Sequence, residues 1–274
     1  MPRSKLLDAG QDRLSAVERF HIAFIERSLR PGVLDRTLRF GQRHVGATWI
    51  HLATRRLLHV IGTEHLPVFD PQQSYLLVAN HRSFFDLYTI TTFLVRRGLR
   101  HRILFPVRSE FFYDRRLGFL VNGAMSFFAM YPPVFRERER LALNVVSLDV
   151  LAELLRGGGF FAGVHPEGTR NLGSDPYALL PAQRGVGRLA HRARAAVIPA
   201  FVNGLGNDFV AQVRGGLNGR GTPIGLVFGE PVPLDDLYEQ RGSQRVHREI
   251  AERSLAAVAA LGEIERRARE RRFQ

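Results

Sequence analysis

Two short constellations carry the residue types of acid–base and anion chemistry. The first is Asn80-His81-Arg82-Ser83-Phe84-Phe85-Asp86. An imidazole titrating near neutrality is suited to take a proton, and a nearby carboxylate fixes its tautomer and stabilises the protonated ring. His81 is therefore the candidate base and Asp86 its orienting partner. The second is His165-Pro166-Glu167-Gly168-Thr169-Arg170. A guanidinium donates in a planar fork, which with a neighbouring hydroxyl suits a phosphate oxyanion.

Spacing alone decides little. With ten histidines in 274 residues, chance supplies roughly half a His-x4-Asp match. A second copy, His65 to Asp70, lies among Pro67 and Pro71 with no apolar helix behind it, and reads as a loop coincidence. Placement is what distinguishes the heptapeptide. It follows the apolar run Tyr75-Leu76-Leu77-Val78-Ala79, a predicted strand, and opens a second apolar stretch from Leu87 to Val95. On one continuous helix, residues five apart face different ways, so His81 must lie in a loop before the helix. Ser83-x-x-Asp86 predicts that start as a capping box, with Ser83 as N-cap and Asp86 at the third helical position. The second constellation follows Phe160 to Val164, which reads as a buried strand. Pro166 and Gly168 then break the chain, placing Glu167, Thr169 and Arg170 beyond a strand end. In open α/β sheets ligands bind in that crevice. The plainer alternative is that Glu167 and Arg170 pair with each other on a turn.

Taken in this order, the two constellations resemble those of the glycerolipid acyltransferases of the lysophosphatidic acid acyltransferase type. The Asn-His-x4-Asp block matches at Asn80, His81 and Asp86, and the Pro-Glu-Gly-Thr-Arg block at Pro166 through Arg170. Val197-Ile198-Pro199-Ala200 resembles the later apolar block. The intervening arginine block is looser, at Tyr131 to Arg136, with Arg136 or Arg138 as its basic residue. Gly62-x3-Leu66-Pro67 and the stretch Ile224 to Pro231 also look like family features, so the resemblance covers roughly residues 58 to 235. It implies acyl transfer from an acyl-CoA or acyl-carrier-protein thioester to a lysophospholipid hydroxyl, with 1-acylglycerol-3-phosphate foremost and no cofactor or metal. His81 would be the base, main-chain donors at the helix start would hold the oxyanion, and Arg136, Glu167, Gly168, Thr169 and Arg170 would position the acceptor. The chain departs from the family at Ala182-Gln183-Arg184-Gly185, where a lysine is frequent. Arg184 is its candidate substitute, unless the head group differs. Other acceptors (glycolipid, amino lipid or another alcohol) stay open.

Alternating short apolar runs and longer amphipathic stretches predict an α/β fold, a mainly parallel central sheet flanked by helices, with an N-terminal amphipathic helical hairpin. The expected segments are 1–57, an amphipathic helical segment that either docks on a membrane or packs on the core; 58–242, the α/β domain; and 243–274, a C-terminal basic helix. Helices are predicted over 84–97, 138–156, 183–194 and 243–265. Within 13–57 two helices divide at Pro31-Gly32, with Phe24 and Trp49 as candidate membrane wedges. The tail from Glu265 to Arg272 reads as a solvated, frayed charge run, with a weak phospholipid contact as the alternative. The uncharged run from Leu117 to Phe135 is nearly long enough to span a bilayer. Gly118, Gly123 and Pro132-Pro133 interrupt it, so it reads as a broken element ending in a strand over Ser126 to Tyr131.

The formal charge of +13, almost wholly arginine, points to anionic partners, foremost an anionic membrane surface. A basic, non-catalytic nucleic-acid or membrane binder is the competing class. It leaves both loops unexplained and shows no nucleic-acid motif, so no nucleic acid is expected. Cysteine is absent, excluding thiolate catalysis and disulfides. The first residues are polar, with no secretory signal expected, and the expected location is peripheral, on the cytoplasmic face of a membrane. Gly185-Val186-Gly187-Arg188-Leu189-Ala190 imitates a dinucleotide fingerprint but lacks the strand before it. No Gly-x-Ser-x-Gly elbow is present.

Overall fold

The computed structural model describes residues 4–114 and 116–273; the ends of the expected terminal segments, residues 1–3 and Gln274, lie outside it. Seven strands are supplied by the short apolar runs: β1 (Leu58–Ile61), β2 (Tyr75–Ala79), β3 (Arg102–Arg108), β4 (Met130–Val134), β5 (Phe160–Val164), β6 (Ala196–Asn203) and β7 (Ile224–Phe228). They form one sheet in the order β1-β7-β6-β2-β5-β3-β4. Every neighbouring pair is parallel except β6 and β7. β2, β5 and β7 are buried at every position, because helices cover both faces and leave no side for polar residues.

Among the described residues twelve α-helices surround the sheet. They are α1 (Lys5–Ala9), α2 (Ala16–Ser28), α3 (Val33–Phe40), α4 (Ala47–Thr54), α5 (Asp86–Arg96), α6 (Ser109–Phe112), α7 (Arg116–Ser126), α8 (Leu141–Arg156), α9 (Arg184–Ala193), α10 (Phe209–Asn218), α11 (Asp235–Tyr238) and α12 (Gln244–Phe273). Two groups form layers: α1, α8, α9 and α12 pack together, as do α4, α5 and α10. α2 begins with a capping box, in which Ser15 Oγ accepts from Glu18 N and Glu18 Oε2 from Ser15 N.

The second N-terminal helix is more elaborate than expected. A π-helical turn, Gly41–Gly46, joins α3 to α4. It drives Gln42 into the core, where the side chain accepts from Ile103 N at 3.0 Å and donates to Ile103 O at 3.1 Å. The extra residue re-aims one side chain, a frequent use of such bulges. Phe24 and Trp49, the candidate wedges, are both partly buried. Phe24 packs on Phe119 and Phe128, and Trp49 is partly buried against the core.

Two further expectations are corrected. Ser126 ends α7, and the strand lies later, at Met130–Val134. The basic tail is no frayed end, because α12 runs on to Phe273. Glu265 is buried there, and its Oε2 accepts from Tyr177 Oη at 2.7 Å and Asn203 Nδ2 at 3.2 Å. Among the described residues no helix is long and apolar enough to cross a membrane.

Candidate active site

β2 runs through the middle of the sheet and carries the first loop from its carboxyl end. Asn80 is fully buried and prolongs the β2–β6 pairing by one step. Its Nδ2 donates to Val202 O, and its Oδ1 accepts from Val202 N, each at 2.8 Å. The chain then turns through His81 to Phe85 before α5 begins, so His81 stands in a loop ahead of the helix. Asp86 Oδ2 faces His81 Nδ1 at 3.2 Å and accepts from Arg82 N and Ser83 N at 2.7 Å each. An Nδ1–H donated to that carboxylate leaves Nε2 with its lone pair.

The capping box is only half formed. Asp86 makes its reciprocal bond, whereas Ser83 Oγ accepts from Phe85 N at 3.2 Å and donates to Gly206 O at 2.6 Å. The main-chain donors expected to hold an oxyanion are already engaged. Arg82 N and Ser83 N serve Asp86, and Phe84 N lies 3.3 Å from Asn207 Oδ1.

The second loop leaves the carboxyl end of the adjacent strand, β5. Glu167 is 1% exposed, and main-chain donors take both its oxygens: His81 N at 2.7 Å and Leu180 N at 2.8 Å. Glu167 thus ties the two loops together, rather than pairing with Arg170. Asn171 N donates back to His81 O at 2.9 Å. Gly168 turns with φ of +67°, and a Cβ there would approach Gln183 Cγ to 2.8 Å, so only glycine fits. Its carbonyl accepts from Arg136 Nη2 at 2.9 Å, so Arg136 is the arginine brought to the loop. Thr169 and Arg170 are exposed, and Arg170 Nη1 donates to Asn207 Oδ1 at 3.0 Å. Arg184 points elsewhere, donating to Gln244 on α12. His65 faces Glu64 and Glu230 rather than Asp70. Gly187 lies on α9 where a side chain would strike the His247 backbone of α12. Both decoys therefore have structural explanations.

Spacing did not single out His165 as a functional residue. Its ring stacks on His81 with centroids 3.7 Å apart and planes 5° from parallel. Its Nδ1 lies 3.0 Å from Ala79 O, which accepts. Asn207 was also missed; it bridges Arg170, Phe84 N and, through Nδ2, Arg82 O at 3.2 Å. Only the turn-forming run Gly204-Leu205-Gly206-Asn207 hinted at a loop there.

Burial, with help from the Arg170 charge, lowers the His81 pKa from 6.5 to about 4. Burial and the His81 charge take His165 lower still, to about 3. Burial raises Asp86 to about 6, opposed by His165, the Ser83 and Arg82 N–H groups and Arg170. Three donors on one oxygen favour the ionised carboxylate at neutral pH. The pair at pH 7 is thus a neutral imidazole held by a carboxylate. Donor atoms of His81, Asp86 and His165 lie within 4.8 Å of one another, a possible metal cluster among the described residues. Two parallel, stacked rings cannot both direct an in-plane lone pair at one ion, so this arrangement suits proton transfer better.

The stack carries a testable consequence. His165→Phe, which keeps a flat ring over His81, should retain most activity. His165→Ala should admit water, raise the His81 pKa towards 6.5 and move the acid limb of kcat/KM to higher pH. We expect the alanine variant to lose about tenfold in kcat from misplacement of the base. Matching profiles for the two variants would contradict this role.

The acyltransferase family profile matches residues 57–203, more than half of the chain, and spans both loops. The chain belongs to the acyltransferase family. Its class is therefore that of an acyltransferase. Among curated relatives, 1-acyl-sn-glycerol-3-phosphate acyltransferase alpha of Bos taurus is 25% identical over 163 residues, 60% of this chain and 50% of that protein. The chain thus spans half the length of that relative. The crystal structure of the 1-acyl-sn-glycerophosphate (LPA) acyltransferase PlsC from Thermotoga maritima superposes with a TM-score of 0.56 at 21% identity. The match covers 90% of this acyltransferase and 89% of that chain, and shows a shared fold.

Proposed function

We propose that the chain transfers a fatty acyl group from an acyl thioester to the hydroxyl of a lysophospholipid, with 1-acylglycerol-3-phosphate as acceptor. The observation carrying this reading is the His81–Asp86 pair at a strand end, with no partner for Nε2 among the described residues, beside the Arg170 loop. His81 Nε2 takes the proton of the acceptor hydroxyl as that oxygen attacks the thioester carbonyl. The tetrahedral intermediate collapses, the C–S bond breaks, and the thiolate leaves with the proton from His81. Arg170 and Arg136 bind the acceptor phosphate. Among the described residues the Thr169 and Arg170 N–H groups have no intramolecular partner, so they are available to an oxyanion. Glu167 serves by holding the His81 loop.

The substrate is a lipid, and exposed apolar side chains adjoin the site. Phe20 on α2 and Leu117 and Leu120 on α7 are each at least 60% exposed. These helices meet where Phe20 and Phe119 pack at 5.5 Å, and α6 reaches the catalytic loop through the Phe84–Phe112 stack. We assign this face to peripheral contact with the membrane surface. A second reading, another lipid alcohol as acceptor, is favoured by one observation: Arg184, the candidate substitute for the family's lysine, bonds Gln244 on α12 instead.

Labelled acyl-CoA offered with a panel of lysophospholipids, glycerol phosphates and glycolipid alcohols tests the reading. The expected product is the diacylated glycerophosphate. Labelling of a polar, non-lipid acceptor alone would overturn it. Arg170→Ala should raise the acceptor KM about tenfold or more, as loss of a charge-assisted contact implies. The same change removes a cation that depresses His81, so its acid limb should move to higher pH. An unaltered acceptor KM would count against a phosphate role.

A further inference from the structure

At the other end of the sheet lies a hollow of about 250 Å³ between α3, the π-helical turn and the α5–β3 connection. Arginines 36, 39, 43 and 100 line it, with His44, His101 and Phe40. It adjoins the amino end of β3, whereas His81 and the Arg170 loop stand beyond the carboxyl ends of β2 and β5. Among its arginines only Arg39 has a carboxylate partner, Asp35 at 2.7 Å. Arg36 makes one long contact with Gly32 O at 3.4 Å. Among the described residues the Arg43 and Arg100 side chains have no hydrogen bond or ion pair. Next to this lining, Arg102 is fully buried, and all three guanidinium nitrogens are without a hydrogen-bond partner. Converging cations repel one another in a partly dry environment, and a bound anion offsets that repulsion.

The surroundings select the anion. Val33 and Phe40 stand seven residues apart on α3, on one face, and are 73% and 61% exposed. Val45, on the π-helical turn, is also exposed. That turn contacts α7, whose Leu117 and Leu120 belong to the apolar face described above. Apolar side chains beside unpartnered arginines match an acyl layer beside its phosphates.

We propose that this hollow binds the phosphate of an anionic phospholipid and seats the enzyme on the membrane, away from the catalytic loops. This rests on the membrane-contact part of the function proposed above.

The test is co-sedimentation of the full chain with phosphatidylglycerol and phosphatidylcholine vesicles. The variants are Arg43→Gln/Arg100→Gln and, as a charge-matched control, Arg241→Gln/Arg248→Gln on the exposed surface. Loss of two lipid-facing arginines should weaken partition into phosphatidylglycerol vesicles about thirtyfold. The control should change it little, phosphatidylcholine binding should not respond, and turnover of a dispersed, short-chain acceptor should be retained. Equal losses in both double variants would leave only general charge attraction and overturn the site. Unchanged binding by Arg43→Gln/Arg100→Gln would overturn it too. Failure of wild type to bind any vesicle would remove the membrane reading as well. Competition by inorganic phosphate, lost in this variant without loss of vesicle binding, would assign the hollow to a soluble phosphate and refute the lipid.

Discussion

His81→Ala is expected to reduce kcat for acyl transfer by about 10²- to 10⁴-fold, the range typical of a positioned general base. Thermal unfolding should be nearly unchanged, because the ring's fixed partners are few and its side chain is 22% exposed. Asp86→Asn should produce a comparable loss by a different route. An amide can keep one oxygen for the Arg82 and Ser83 N–H groups but cannot stabilise the imidazolium formed in the reaction. The wild-type acid limb should lie below pH 6.5. Burial lowers the His81 pKa, so the neutral base persists as pH falls through the usual histidine range. Activity is lost only when His81 is protonated at lower pH. A limb centred at or above pH 7 in kcat/KM would contradict that protonation state.

Glu167→Ala is expected to damage fold and activity together. Its two oxygens accept from His81 N and Leu180 N in the interior. Truncation strands two part-buried donors, each costing up to about 1–3 kcal/mol. A loss of about 3 kcal/mol in denaturant unfolding is expected, with kcat falling about tenfold or more as the His81 loop loosens. Glu167→Gln would retain one acceptor and turn its NH2 group towards the other N–H, so it should recover little. Wild-type stability in both variants, with only acceptor binding weakened, would instead make Glu167 a direct acceptor ligand.

The framework that positions these groups was legible because it is local. Tyr75–Ala79 and Phe160–Val164 are short apolar runs ended by polar or turn-forming residues, and each became a fully buried strand. The break before Asp86 was legible for the same reason. What escaped the sequence depends on strands meeting in space. The His81–His165 stack exists because β2 and β5 are parallel neighbours in register, Val78 opposite Val164. Asn207 reaches the site from the loop after β6, which pairs with the other edge of β2. Glu265 looked like part of a solvated charge run. Gly225 leaves the space its carboxylate enters, and Tyr177 and Asn203 supply the donors. Charge alone does not reveal such compensation. Amphipathic spacing marks a buried stripe and a membrane stripe alike. Phe24 packs on Phe119 and Phe128 and Trp49 partly on the core, whereas Phe20, Leu117 and Leu120 are more exposed.

The most direct test of the central claim is a single-turnover assay of labelled acyl-CoA with 1-acylglycerol-3-phosphate, wild type beside His81→Ala. Wild type should yield phosphatidate labelled in its new ester, with no acyl-protein intermediate trapped, and the variant should react at least about 10²-fold more slowly. Wild-type rates from His81→Ala, or label held covalently on the protein before transfer, would contradict it.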